Sequence, residues 1–165
     1  MTREEFTALA SAGQEPLRRF LLALCEGDAA TADDLAQEAL VNAYVASGTF
    51  RGAARFETWL FRIAYNCFID RLRWRRLRFE PLDSFTAQAA PGPDATDAGF
   101  RHEDLYQALR QLPEKERAAL LLFYMEDRPV KEVASILDIP SGSVRASLTR
   151  GRQHIKTYLE KWKTR

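Results

Sequence analysis

The stretch PVKEVASILDIPSGSVRASLTRGRQHIK, from Pro129 to Lys156, decides the reading of this chain. Val133, Ala134, Leu137 and Ile139 supply the inner face of one short helix and the turn behind it, and Val144 and Leu148, one turn apart, anchor a second helix against them. Ala134 is small where a partner helix crosses closely, and Pro140-Ser141-Gly142 ends one helix and restarts another. Two short helices meeting steeply across a tight turn form a helix-turn-helix, whose second member enters the major groove of duplex DNA. An ordinary helical hairpin accounts for the apolar residues. It does not account for Arg145, Arg150 and Arg152 following the turn while acids are absent from Ser141 to Leu159.

Outward from that motif, the 165 residues suffice for one ordinary domain or two small ones, and 46% hydrophobic content supports packed cores. No apolar run approaches the roughly 20 residues that span a bilayer. No basic-then-apolar leader is present either, which predicts a cytoplasmic protein without membrane insertion. Cys25 and Cys67 are isolated among apolar neighbours, so buried free thiols are expected rather than a disulfide or metal site.

The net charge of +1 conceals a segregated distribution. Residues 1–50 carry 3 basic and 8 acidic side chains, net −5, whereas 51–78 carry 8 and 2, net +6. Residues 79–104 return to −5, 105–127 stand at −1, and 128–165 reach +6. Two separated basic blocks point to two contacts with a polyanion, and the acidic N-terminal block to a partner with a basic surface.

Helical periodicity runs through the chain. Leu17, Phe20, Leu21 and Leu24 fit one apolar face; Leu35, Ala39, Leu40, Ala43 and Tyr44 a second; Trp59, Leu60, Ile63, Ala64, Cys67 and Phe68 a third. No run alternates as a strand does, so the predicted fold is all-α. Pro81, Pro91, Gly92, Pro93 and Gly99 mark 79–100 as a linker between two small helical domains, 1–78 and 101–165, the second containing the helix-turn-helix. Fully extended, Leu77 to Phe100 reaches roughly 80 Å. That matches about two turns of duplex, at 34–36 Å each.

Four stretches in this order resemble the extracytoplasmic-function (ECF) sigma factors of bacterial RNA polymerase: ADDLAQEALVNAY (Ala32–Tyr44), FRGAARFETWLFRIAYNCFIDRLRWRR (Phe50–Arg76), LRQLPEKERAALLLFYMED (Leu109–Asp127) and the helix-turn-helix. The resemblance implies a first domain of the sigma region 2 type and a second of the region 4 type. It implies that Asp34, Gln37, Glu38 and Asn42 face the clamp of core RNA polymerase. It implies that Phe50 and Asn66 line a pocket for a flipped base of the melted −10 element. A phenyl ring offers stacking area there, and an amide both donates and accepts at a base edge. Arg62, Arg71, Arg73, Arg75 and Arg76 are then expected on phosphates, which gives affinity without sequence reading.

In the region 4 domain, Arg145 and Ser147 are the candidates for base edges of the −35 promoter element, with Arg150 and Arg152 on phosphate. Two positions depart from the family's pattern: Ser147 stands where arginine is frequent, and Pro129 replaces a common serine. Trp59 lies on the apolar stripe and reads as structural; Trp74 fits either stacking on nucleic acid or covering a domain edge. An anti-sigma protein is the expected restraint on such a subunit. No catalytic residue, cofactor or metal is implied. Asp33, Asp34 and Glu38 resemble a magnesium cluster only in isolation, without a phosphate loop. The competing function is a conventional helix-turn-helix regulator acting on duplex DNA without polymerase. The second basic block and TWLFRIAYN (Thr58–Asn66) argue against it.

Overall fold

The structure, a computed structural model, describes residues 1–78 and 97–163, with side chains over 1–78 and 104–161. The bulk of the segment read as a linker, 79–96, lies outside the described residues. All regular elements among the described residues are helical, as the periodicity predicts. In chain order they are α1 (Arg3–Leu24), α2 (Ala29–Val45), a 3-10 turn (Ser47–Thr49), α3 (Phe56–Arg78), α4 (Asp97–Arg110), α5 (Glu114–Leu120), a π-helical turn (Leu121–Met125), α6 (Val130–Leu137) and α7 (Ser141–Lys163).

Local chemistry sets the ends of these helices. Thr2 and Glu5 form a reciprocal capping box, with the Thr2 amide donating to Glu5 Oε2 at 2.8 Å and the Glu5 amide to Thr2 Oγ1 at 3.1 Å. Glu26 and Gly27 take positive φ values of 60° and 90°, closing α1 with an amide from Gly27 to the Leu22 carbonyl. Asp28 then caps α2 by accepting from the Thr31 amide and hydroxyl.

The first three helices share one core. Leu17, Phe20, Leu21 and Leu24 are sealed from solvent against Leu35 of α2 and Leu60, Phe61 and Ala64 of α3. Ala32, Ala39 and Ala43 keep α2 close to its neighbours. Tyr44, assigned by periodicity to that core face, is instead half exposed and lays its ring edge on Phe6 at 5.3 Å.

The C-terminal unit packs α5, α6 and α7 through Ala118, Leu122, Val133, Ile136, Val144 and Leu148. Asp138 closes α6 in the left-handed conformation (φ 56°, ψ 49°), and α7 starts at Ser141, within the Pro140-Ser141-Gly142 step expected to restart the helix. A short polar side chain tolerates that conformation, so no glycine is needed there. The glycine that matters is Gly151, deep in α7. A Cβ there would stand 2.8 Å from Leu120 Cδ1, so its absence lets α7 cross α5 at close range.

The two units are in contact rather than held apart. Helix α3 lies along α6, and the end of α1 meets α5 and the π-helical turn. Arg117 is buried and donates to the carbonyls of Leu109 and Leu112 in its own unit and of Leu24 in the other. Arg128, also buried, lies over the Phe61 ring at 5.0 Å and pairs with Glu57 of α3.

Candidate nucleic-acid interface

Helix α3 sorts its arginines by face. Arg62, Asn66, Arg73 and Arg76 fall on one exposed stripe, since steps of four, seven and three residues return to the same side of a helix. Arg71 points the other way and reaches Glu38 of α2 at 3.6 Å, and Arg75 falls on that same far side by phase. The expectation that all five arginines share a phosphate-binding face is therefore divided: Arg62, Arg73 and Arg76 share it with Asn66. Helical phase was in the sequence and separates them.

Phe50 follows the 3-10 turn, where its amide donates to the Ser47 carbonyl at 3.3 Å. Its ring is half buried, 5.0 Å from Trp59 and 5.8 Å from Phe56, with Phe6 beyond at 5.7 Å from Phe56. Phe50 and Trp59 thus form one aromatic edge at the head of the stripe that Arg62 and Asn66 continue. Trp59 packs in this cluster, in keeping with a structural role. Trp74 is half exposed with the Arg78 guanidinium 5.0 Å above its ring.

On α2, Asp34, Gln37 and Glu38 are exposed together. Asn42 stands at the edge of this face, its amide nitrogen 3.4 Å from Cys67 Sγ. Val41 and Val45 continue the same face at 61% and 80% exposure, an apolar extension that a search for charge overlooks. Their four-residue spacing after Gln37 was the available signal.

On α7, Arg145 and Thr149 are exposed one turn apart. Ser147 is only 4% exposed, on the inner face with Val144, Leu148 and Gly151. It reaches no base edge from there, which corrects the expectation; the 144/148 spacing already implied that 147 turns inward. Arg150 Nε meets Glu116 Oε1 at 3.3 Å and Arg152 donates to the Tyr124 hydroxyl at 2.7 Å, so both are steered by their own domain while remaining exposed. Glu116 is buried and also pairs with His154 at 2.8 Å, which fixes the α5–α7 register.

Burial pushes the Cys25 thiol up to about 12 and raises Cys67 as well; both are free cysteines. Burial likewise raises the Tyr65 hydroxyl to about 12. Among the described residues no group of three or more His, Cys, Asp or Glu side chains is placed to hold a metal ion, and no helix is long and apolar enough to cross a membrane.

The sigma-70 region 2 family model matches residues 9–78, and the sigma-70 region 4 model matches 102–155. The chain is 33% identical over 145 residues to the ECF RNA polymerase sigma factor SigW of Bacillus subtilis, covering 81% of this chain and 78% of that one. It is 36% identical to the RNA polymerase sigma-H factor of Pseudomonas aeruginosa, over 81% and 75% of the two chains. Its fold matches the sigma factor RpoE of Bartonella quintana, solved with the anti-sigma factor NepR, at a TM-score of 0.78 and 22% identity over 95% of this chain and 98% of that one. The chain belongs to the ECF sigma factors of bacterial RNA polymerase. Both halves of the resemblance, a region 2 helical unit and a region 4 helix-turn-helix unit, are accounted for, and the free-standing regulator is set aside.

Proposed function

We propose that the exposed α2 face, Asp34, Gln37 and Glu38 with Val41 and Val45 beside them, docks on the clamp of core RNA polymerase in the cytoplasm. The α3 stripe then receives the melted −10 strand, with Arg62, Arg73 and Arg76 on phosphates and Asn66 at a base edge beside the Phe50–Trp59 aromatic edge. Melting costs stacking and pairing, which aromatic area and an amide replace in part. Helix α7 enters the major groove of the −35 element, where Arg145 is suited to guanine and Thr149 is its exposed neighbour. The chain contributes no catalytic group; phosphodiester chemistry belongs to the polymerase. A protein inhibitor is part of this reading, because the fold relative RpoE of Bartonella quintana is described in complex with an anti-sigma factor.

The observation that supports this reading best is the coexistence of region 2 and region 4 matches with an arginine–asparagine stripe on α3 and an α7 that carries no acid from Ser141 to Leu159. Run-off transcription of fragmented genomic DNA by core polymerase, with and without the protein, tests it. Discrete new transcripts are expected only with the protein; their absence refutes the assignment.

A further inference from the structure

The C-terminal unit leaves an apolar surface uncovered. Helix α4, the π-helical turn and the C-terminal half of α7 enclose a groove of about 680 Å³, walled by Leu105, Leu121, Met125, Ile155 and Leu159. The sequence dictates this second apolar face. Ala118 and Leu122 pack into the core that α5 shares with α6 and α7, whereas Leu121, Tyr124 and Met125 line the groove. On α7, Arg152, Ile155, Lys156 and Leu159 recur at steps of three and four residues, which puts them on one side of the helix. Helix α4 crosses α7 beside them, where the Tyr158 hydroxyl donates to Gln107 Oε1 at 3.4 Å. Leu105, Tyr124 and Leu159 keep 45%, 55% and 41% of their surface in water, so the groove is open along its length.

The charged side chains of this groove all come from α7, and they are unevenly placed. Arg152 and Lys156 stand one turn apart, and Glu160 follows a turn later. Arg152 donates to the Tyr124 hydroxyl at 2.7 Å, which holds the guanidinium at the rim with further N–H groups to offer. Lys156 is exposed beside it. Leu159 lies about 10 Å beyond Arg152 at 1.5 Å per residue, so cationic and apolar surface are offset along the groove. Apolar walls with two cations toward one end complement a molecule with an apolar tail and an anionic head. The volume falls within the roughly 300–1,000 Å³ of small-molecule sites.

We propose that this groove is a binding site for a free single-chain anionic amphiphile of the fatty-acid class. The carboxylate receives charge-assisted hydrogen bonds from Arg152 and Lys156. The chain lies along Ile155 and Leu159, between α4 and the π-helical turn. Glu160 at the far end disfavours the reverse orientation, because it would face the head group with a like charge. The site lies past Arg145 and Thr149 on α7; it goes beyond promoter recognition and does not rest on it. A ligand that touches α4, the π-helical turn and α7 at once binds only the folded unit, so it stabilises that unit by mass action.

The test titrates the full chain calorimetrically with octanoate, decanoate and dodecanoate, each below its micelle-forming concentration. Saturable one-to-one binding is expected, with affinity rising about fourfold for each added methylene. Dodecanol keeps the tail without the charge and should bind about tenfold more weakly or worse, as should dodecyltrimethylammonium. Arg152→Gln combined with Lys156→Gln should bring dodecanoate down to the dodecanol level and leave dodecanol itself unchanged, a split that misfolding cannot produce. Leu159→Asn, at a side chain already 41% exposed, should weaken both ligands together. Absence of saturable binding by every chain length would overturn the site. Equal affinity for the three head groups would overturn the role of the two cations. Dodecanoate binding that neither variant alters would place the ligand elsewhere and overturn the groove assignment. Co-sedimentation with phosphatidylglycerol vesicles without uptake of free dodecanoate would assign the surface to membrane lipid and overturn the proposal.

Discussion

Arg117 is the residue whose loss should cost the C-terminal unit most. Its side chain is 8% exposed and its guanidinium donates at 3.0 Å to the Leu109 carbonyl, 3.1 Å to Leu112 and 3.2 Å to Leu24, with Glu26 at 3.0 Å. Leu109 lies in the last turn of α4 and Leu112 just beyond it, while Leu24 ends α1, so one cation serves carbonyls at the ends of two helices. Arg117→Leu leaves these groups without a donor, at about 1–3 kcal/mol for each buried acceptor. With partial rescue by water at the seam, the expected loss is about 3 to 5 kcal/mol. Against a typical total of about 5–15 kcal/mol, that is a large share. Each kcal/mol moves Tm by about 4–8 °C in a domain of 60–100 residues, so a fall of at least about 12 °C is expected in calorimetry. Arg117→Lys should fall between, because an ammonium lacks the planar fork that spans three carbonyls. A leucine variant melting within about 4 °C of wild type, or a lysine variant indistinguishable from it, would refute this account of the seam.

Further outcomes follow from the same geometry. Asn66→Ala should reduce permanganate reactivity of the melted promoter region while core polymerase still co-purifies; unchanged reactivity removes Asn66 from the strand-binding role. Charge reversal at Asp34 and Glu38 should lower co-purification with core polymerase by an order of magnitude or more, and undiminished recovery rejects the α2 docking face. Gly151→Ala sets about 1 kcal/mol of helix propensity against a 2.8 Å approach to Leu120, and overpacking at about 1–3 kcal/mol should win, lowering the urea midpoint. A higher midpoint would show that α5 moves aside freely. Because burial raises Cys25 to about 12, it should resist iodoacetamide at pH 8 in the folded protein and react once urea unfolds it. The stability tied to that protonated thiol is fully present below the ordinary value of 9.0 and lost as pH rises through about 12. Rapid native labelling of Cys25 would contradict its burial.

Legibility from sequence varied with the range of the interaction involved. The apolar faces of α1, α2 and α3 and the helix-turn-helix spacing follow from local periodicity, so Leu17, Leu35, Val133, Val144 and Leu148 were identifiable as core in advance. Ser147 and Arg71 were misplaced although helical phase alone puts them on the inner and far faces of α7 and α3. Val41 and Val45 were missed because their significance lies in being uncovered, which depends on what packs nearby. Arg117 and Arg128 looked like ordinary charges in the sequence, and only the docking of the two units buries them.

The order of apolar and polar residues by itself settled the helices, and the four quoted stretches in their order carried the resemblance to the sigma factors. The helices depend on spacings only a few residues apart. Tertiary structure decided which arginines face outward together, that Asp138 makes the turn, and that the carboxylates of one unit sit on the cations of the other. Those partners are separated by 38 to 107 residues of chain, and no local pattern encodes a pairing at that range.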